Sequence, residues 1–189
     1  MHNHNDIGAF TLLVKGKKII SDLGGGKYTW DYFNNKDVRY GDEVFVCGSQ
    51  GHSVPIIDGK NQEFGRDYRA DYIFSNNKGV KFAINKAYGI DDLLTAEYTT
   101  EQNKVVVKYH YEGIKRQITF RFISDFAPKI KDSVIEIENV RIVCDKQCEI
   151  LTDKHIFART NESCIAYSFD YVYAPSEKID IEFSFEIKD

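Results

Sequence analysis

The side chains best suited to chemistry are concentrated in the first third of the sequence. His2 and His4 are two positions apart, so an extended backbone would project both imidazoles to the same face. One imidazole of such a pair can bind a metal ion while the other exchanges protons with a substrate. Asp22 ends one strand-like segment and His52 begins another. Two imidazoles and one carboxylate, with a fourth position left open, would suit tetrahedral zinc.

Each of these residues also has an ordinary structural interpretation. A His-x-His sequence near a chain end is commonly a solvated tail. An aspartate before glycines, such as Asp22 before residues 24–26, commonly forms a turn. A single histidine in a strand, such as His52, is commonly structural. Spacing alone therefore leaves both interpretations open.

The elements that must position these side chains are strands. Over the 189 residues, short runs rich in Val, Ile, Phe, Tyr and Thr alternate with turn clusters, which predicts successive antiparallel strands. Within residues 179–186, apolar and polar side chains alternate strictly, as in a sheet packed on one face. Helix signals are weak, with one turn at 90–93. The predicted strands are 9–14, 17–22, 43–47, 53–57, 67–74, 80–85, 94–100, 104–111, 114–124, 133–144, 149–157, 163–173 and 178–187. We therefore expect an all-β fold, a two-sheet antiparallel β-sandwich of jelly-roll type forming one domain over 1–189.

Charge and composition argue against two classes of partner. The 25 basic and 29 acidic residues give a net charge of −4, with both signs interspersed, so no basic stripe exists to bind nucleic acid. The longest apolar runs have the length of strands, which argues against a membrane span. Residues 1–6 lack the features of a secretory signal. The compartment stays open: periplasmic or secreted if a longer parent carries a signal peptide, otherwise cytoplasmic.

The four cysteines do not form a recognisable motif. Cys144 and Cys148 are separated by three residues, unlike the two-residue spacing of redox enzymes. Four irregularly spaced cysteines are also too few for a disulfide framework or a zinc knuckle. We interpret Cys144 and Cys148 as partly buried thiols.

Three segments around the candidate residues resemble the heparinase II/III-like polysaccharide lyase family. They are HNHNDIGAF at 2–10, ISDLGGGKY at 20–28 and GHSVPIIDG at 51–59. The resemblance covers about residues 2 to 60, and the later strands match only in general character. In that family a helical (α/α) toroid precedes a β-sandwich, and the active site lies in the cleft between them. The resemblance implies that 1–189 is a C-terminal fragment of a larger lyase and lacks the toroid.

The resemblance also implies a role for each candidate residue. His2 matches the catalytic histidine of the family, and His4, Asp22 and His52 match its zinc ligands. Ser53 stands where family members commonly have Asn. This departure leaves the ligands intact but removes any supporting role that the amide would have.

The activity implied by the resemblance is β-elimination on an acidic polysaccharide containing uronic acid, of the glycosaminoglycan or alginate type. A base removes the C5 proton, the neighbouring carboxylate is neutralised, and the 4-linked oxygen leaves. The family's partner Tyr and its Asn or Glu come from the N-terminal helical toroid, so this chain alone is expected to be inactive. Zinc would order the loops around the catalytic histidine. The alternative is a non-catalytic carbohydrate-binding or interaction module with the same sandwich.

Several further residues have two interpretations each. Asp6 could accept a hydrogen bond from a ligand imidazole and fix its tautomer, or it could form a turn. Tyr28 and Arg39 could bind substrate, Arg39 by pairing with a uronate, or they could be solvated loop residues. The aromatic residues of 30–33 could stack on sugar rings or cap the sandwich. His110 and His155 have no partner motif, and we interpret them as structural.

Overall fold

The computed structural model describes residues 4–34, 45–159 and 162–188 of the chain. The strands are β1 Leu12–Val14, β2 Lys17–Ile20, β3 Pro55–Ile57, β4 Asp71–Asn76, β5 Gly79–Ala83, β6 Leu93–Glu101, β7 Lys104–Ser124, β8 Lys129–Lys131, β9 Val134–Ile137, β10 Val140–Cys144, β11 Glu149–Arg159 and β12 Glu162–Ile187. The described helical segments are α1 Trp30–Asn34 and the 3-10 helices Ser49–Gly51 and Asn85–Tyr88. No helix in these described ranges is both long and apolar enough to cross a membrane.

The strands form two antiparallel sheets. Strands β1 and β2 pair as a hairpin, and the other ten form one sheet. The order in that sheet is β4-β5-β6-β7-β12-β10-β9-β8, with β3 added on β7 and β11 added on β12. The prediction of an all-β antiparallel sandwich is confirmed.

The large sheet becomes a sandwich because its two longest strands fold over together. Strand β12 pairs with the whole of β7 through residues 167–186, and the register shifts between Tyr173 and Lys178. Phe122 pairs with Phe169 of β12. In a straight strand, at about 3.3 Å per residue, Phe169 would lie roughly 45 Å from Phe183 of the same strand. The Phe122 and Phe183 rings are nevertheless only 5.0 Å apart. The ribbon therefore bends at the register shift, and its two halves pack face to face.

The apolar residues form two cores on opposite faces of one layer. The main core lies between the two halves of the ribbon and contains Phe120 and Phe122 of β7. Ile123 points to the other face, where a smaller cluster also contains Leu23, Tyr32, Val46, Cys47, Phe157 and Ala166. Leu23, Tyr32, Val46 and Cys47 all precede β3, so the described parts of the chain that carry them pack on the outer face of this layer.

Several element boundaries differ from the predictions. Residues 104–111 and 114–124 are one strand, as are 163–173 and 178–187, because the predicted turns lie at the bend of a continuous ribbon. Predicted strand 133–144 is two strands, since Glu138 adopts a left-handed φ of 52°. Residues 45–47 form a turn instead of a strand, and 43–44 lie outside the described residues.

Candidate metal centre

Three side chains from two separate segments of the chain lie close together. His4, Asp6 and His52 each offer a ligand atom, and these atoms lie within 4.8 Å of one another. The His4 and His52 ring centroids are 5.3 Å apart. Asp22 lines the same cleft of about 190 Å³ together with Asp6 and His52. The close group of ligand atoms thus contains the predicted ligands His4 and His52 together with Asp6, whereas Asp22 lines the adjoining cleft and is not a member of that group.

His52 is buried and its orientation is fixed by the main chain. Its side chain is 1% exposed, and Nε2 lies 3.0 Å from the Val46 carbonyl oxygen. Because a carbonyl oxygen can only accept, Nε2 carries the proton and Nδ1 keeps the lone pair that could bind a metal. Burial lowers the pKa of His52, against the opposing effect of the Asp6 and Asp22 carboxylates. The neutral imidazole is the form that ligates metal.

The turn that carries His52 depends on a glycine. A Cβ added at Gly51 would lie 2.1 Å from the Phe45 carbonyl oxygen, so a larger residue would force the backbone apart. The His52 amide donates to the Ser49 carbonyl oxygen at 3.1 Å and closes the turn. Gly51 therefore allows the close approach that buries the imidazole after it.

The segment that carries His4 and Asp6 is fixed by a turn at its end. The Ala9 amide donates to the Asp6 carbonyl oxygen at 2.8 Å, and Gly8 has a φ of +86°. These are the features of a type II turn with glycine at its third position. The Tyr98 hydroxyl donates to the Gly8 carbonyl oxygen and attaches the turn to the sandwich.

Asp22 reaches the cleft from the end of β2. The Ser21 amide donates to the Ile123 carbonyl oxygen at 2.9 Å, which anchors this end of β2 on β7. Asp22 Oδ1 accepts from the Gly24 amide at 2.7 Å. Asp22 is therefore a turn former, as its ordinary interpretation predicts, and it also lines the cleft. A carboxylate has two oxygens, so the turn and a metal ion need not share one atom.

Two predicted site residues lie outside the described residues, namely His2 and Arg39. Their proposed roles in catalysis and uronate binding stay predictions.

Tyr28 is 51% exposed, and its ring lies 5.0 Å from that of Tyr32 and 5.3 Å from that of Phe33. Tyr32 itself is buried, and its hydroxyl accepts from the Cys47 thiol at 3.3 Å. Tyr32 thus caps the smaller core, whereas Tyr28 presents an exposed aromatic face.

The other described histidines lie away from this cleft. His155 Nε2 is 2.8 Å from Ser168 Oγ, and its Nδ1 is 3.9 Å from the Asp153 carboxylate. A serine, a histidine and an aspartate in this arrangement superficially resemble a catalytic triad with a nucleophilic serine. Ser168 is 1% exposed, however, and the Phe45 ring stacks on His155 at 4.4 Å. A hydroxyl covered in this way cannot reach a substrate. His110 pairs with Asp180 at 2.7 Å on the sheet surface.

Sequence analysis missed the residues that support the site. Asp6 was predicted to accept a hydrogen bond from an imidazole or to form a turn; it begins the turn to Ala9, and its carboxylate also lies close enough to share a cation with both imidazoles. Asn5, Ser49 and Gln62 are buried polar residues around the same segment. Nothing in the spacing of Gln62 indicates a partner more than fifty residues earlier. The one sequence signal available for these supporting residues was the run of polar side chains at 3–6. A search for periodic apolar residues gives no information on such a run.

Comparison with solved structures finds a heparan sulfate lyase and heparinase III structures. A mutant heparan sulfate lyase from Pedobacter heparinus matches over 100% of this chain and 31% of that one, with a TM-score of 0.70 and 13% identity. A heparinase III matches over 99% and 30%, with a TM-score of 0.71 and 16% identity. A second heparinase III, with methylated lysines, matches over 98% and 30%, with a TM-score of 0.68 and 11% identity. No family model matches the sequence, and no curated protein matches it significantly.

The comparison concerns the fold of the whole described chain. The chain spans about 30% of the length of these solved structures. At identities of 11% to 16% the likeness is one of architecture. The chain therefore has the fold of the β-sandwich part of heparan sulfate lyase structures.

Proposed function

We propose that this chain is the zinc-containing β-sandwich part of a polysaccharide lyase, which cleaves a polymer containing uronic acid by β-elimination. The observation that carries the proposal is the close group of His4, Asp6 and His52 beside Asp22. The shared fold with heparan sulfate lyases supports it independently of the site. Substrate class and reaction are proposals for the whole enzyme.

The donor set fits zinc. Two imidazole nitrogens and one or two carboxylate oxygens are its usual ligands, and the protonated Nε2 of His52 is held by a carbonyl, as is common for histidine ligands. We propose His4, Asp22 and His52 as ligands, with Asp6 as an additional donor within reach. Bound zinc would tie three separated segments together by its binding free energy.

In the proposed reaction, the chain's own residues handle the substrate. His2 takes the C5 proton of the uronate, the C4–C5 double bond forms, and the bond from C4 to the leaving oxygen breaks while that oxygen gains a proton. Because His4 is two residues away, fixing His4 restricts the positions that His2 can reach. Arg39 would pair with the uronate carboxylate, and the exposed ring of Tyr28 would stack on a sugar. The remaining acid and positioning groups would come from a helical domain elsewhere in the parent protein.

Metal content tests the proposed site. Untagged chain equilibrated with zinc and freed of unbound ion should retain about one zinc per molecule. The variant His4→Ala should lose it, whereas His110→Ala, on the opposite sheet surface, should keep it. Metal-free wild type, or equal retention in both variants, would contradict the ligand assignment.

Product formation tests the proposed reaction. The chain alone should release no unsaturated uronate from heparan sulfate, whereas the longer protein that contains it should. In that longer protein, His2→Ala should lower the rate by about 10²- to 10⁴-fold, the usual contribution of a general base. Unchanged activity in this variant would remove His2 from catalysis.

One observation favours a second candidate, a carbohydrate-binding module without catalysis. Tyr28, Trp30 and Phe33 are 51%, 74% and 48% exposed, and such rings can stack on sugars. Under this alternative, the isolated chain binds oligosaccharide, Trp30→Ala weakens binding, and the longer protein forms no unsaturated product. Formation of that product favours the lyase.

A further inference from the structure

Gln62 contacts the main chain on one side of Asp6. Its side chain is 3% exposed and lies against Ile7. The Ile7 amide donates to Gln62 Oε1 at 2.9 Å, and Gln62 Nε2 donates to the Ile7 carbonyl oxygen at 2.8 Å. The primary amide thus satisfies both main-chain groups of Ile7, as a neighbouring strand would.

Ser49 and the Gln62 main chain hold the other side of Asp6. Asn5 Nδ2 donates to the Gln62 carbonyl oxygen at 2.7 Å. Ser49 Oγ donates to the Asn5 carbonyl oxygen at 2.8 Å and accepts from the Gln62 amide at 2.9 Å. Asn5 and Ser49 are buried, at 4% and 0% exposure. Gln62 is therefore bonded to both neighbours of Asp6, and Ser49 adds a second bond to Asn5.

We propose that Ser49 and Gln62 form a polar clamp on Asn5 and Ile7 that holds His4 and Asp6 against His52, which makes Gln62 a positioning residue. The effect on metal binding rests on the proposed function, whereas the clamp rests on the hydrogen bonds above.

The clamp replaces the regular secondary structure that this segment lacks. Residues 4–7 precede β1, so their main-chain groups are outside the sheet ladder. A buried N–H or C=O group without a partner is costly, and other conformations of the segment would leave such groups unsatisfied. The clamp thereby selects one conformation, and in that conformation the His4 and Asp6 ligand atoms lie within 4.8 Å of that of His52.

Tyr88 provides a matched control. Among the described residues, its hydroxyl accepts from Gln62 Nε2 at 3.2 Å and donates to the Pro55 carbonyl oxygen at 2.5 Å. Tyr88→Phe therefore removes buried hydrogen bonds next to Gln62 but leaves those from Gln62 to Ile7. Gln62→Ala removes both bonds to Ile7. Urea unfolding of the metal-free variants measures how far each one is destabilised.

The first experiment measures zinc affinity by competition with a chromophoric chelator. Gln62→Ala should bind zinc about 10- to 100-fold more weakly, the range found for residues that support metal ligands. Tyr88→Phe should bind zinc with an affinity close to that of wild type, even if its unfolding free energy is lowered as much as that of Gln62→Ala. Equal losses in the two variants would overturn the positioning role and leave only a general effect on stability.

The second experiment needs no metal. Amide hydrogen exchange of metal-free protein should show Ile7 protected in wild type and Tyr88→Phe but exchanging freely in Gln62→Ala. An unprotected Ile7 in wild type would overturn the clamp even if zinc binds. Absence of zinc from wild type would instead overturn the proposed function, while Ile7 protection still decides the clamp.

A further variant covers the case in which Gln62→Ala does not fold. Gln62→Glu keeps an oxygen that can accept from the Ile7 amide, but an ionised carboxylate cannot donate to the Ile7 carbonyl oxygen. We expect intermediate zinc affinity and intermediate protection. Affinity and protection both equal to wild type would overturn the claim that the paired bonds to Ile7 are needed.

Discussion

Two regions of the molecule are held together by different interactions. The site region, residues 4–34 and 45–62, contains three short strands among its described residues, and the segment that carries His4 is fixed by hydrogen bonds from side chains to the main chain, as at Asn5, Ser49 and Gln62. The sheet region, residues 71–159 and 162–188, is fixed by strand ladders and by buried aromatic rings such as Phe183. The difference suggests that the sheet region supplies most of the folding free energy and that the site region supplies geometry.

The largest effect that this comparison predicts is in the sheet region. The Phe183 ring is fully buried and packs on Tyr109, Phe120 and Tyr171. Phe183→Ala should lower the unfolding free energy by about 3–5 kcal/mol in urea titrations. Ile114→Thr, at a side chain that is 62% exposed, should change it by less than about 0.5 kcal/mol. A similar loss in both would contradict the assignment of stability to the core.

The second effect belongs to the site region and depends on zinc. Zinc at 100 times its dissociation constant should raise the unfolding free energy of wild type by about 2.7 kcal/mol, because it binds only the folded chain. His52→Asn should gain little, whereas His110→Asn should gain as much as wild type. Urea titrations with and without zinc measure the gain, and an equal gain in His52→Asn would exclude His52 as a ligand.

The third effect compares two cross-strand ion pairs. Arg121 and Asp170 make two hydrogen bonds, at 2.9 and 2.6 Å, and their side chains are 19% and 12% exposed. Arg141 and Glu186 make one contact at 3.2 Å and are each 43% exposed. Arg121→Gln should cost about 1–3 kcal/mol and Arg141→Gln less than about 1 kcal/mol, because exposed pairs are screened by water.

Arg121 also connects the two regions. Its Nη1 donates to the Gln50 carbonyl oxygen at 3.1 Å, two residues before His52. Arg121→Gln should therefore weaken zinc binding as well as stability, whereas Arg141→Gln should leave zinc binding unchanged. Equal zinc affinity in the two variants would show that the sheet region does not position the His52 turn.

The smallest effect is a dependence on pH. Burial lowers the pKa of His155 below its ordinary value of 6.5, with Asp153 and Asp170 opposing the shift and Arg121 adding to it. Below pH 6.5 the His155 side chain binds a proton in the unfolded chain but not in the folded chain. The unfolding free energy therefore decreases as the pH is lowered, until the folded pKa is reached.

The variant His155→Gln should make this slope shallower. Metal-free samples in chelator isolate the difference, because the lowered pKa of His52 contributes equally to both proteins. Lys154→Gln, a neighbouring exposed charge, should retain the wild-type slope. Identical slopes in wild type and His155→Gln between pH 5 and 6.5 would contradict the prediction.

Much of the sheet region could be predicted from the sequence because its strands alternate. The alternation of 179–186 matches the buried and more exposed faces of β12, which carry Phe183 and Asp180 respectively. The continuity of β7 through Gly113 could not be predicted, since a Glu-Gly pair usually marks a turn. A Cβ at Gly113 would lie 2.1 Å from the Asp92 side chain, so this glycine serves a close approach within a strand.

The site could be predicted only where short segments resemble a known pattern. That resemblance led to His4, Asp22 and His52; Asp22 and His52 line the cleft, and His4 lies beside His52. It gave no information on Gln62, because a side chain that bonds to a main-chain group leaves no periodic trace in the sequence. The proximity of Asp6 to both imidazoles depends on the Gly8 turn and on the clamp, which only the folded chain reveals.

The folded ribbon of β7 and β12 has a consequence for how the molecule forms. Its ladder joins residues as distant as Lys104 and Glu186, so the pairing must wait until most of the chain has been made. Contacts between such remote residues slow folding, because closing a long loop costs entropy before any bond forms. Each layer contains one half of both strands, so the two layers are joined by continuous backbone through the bend.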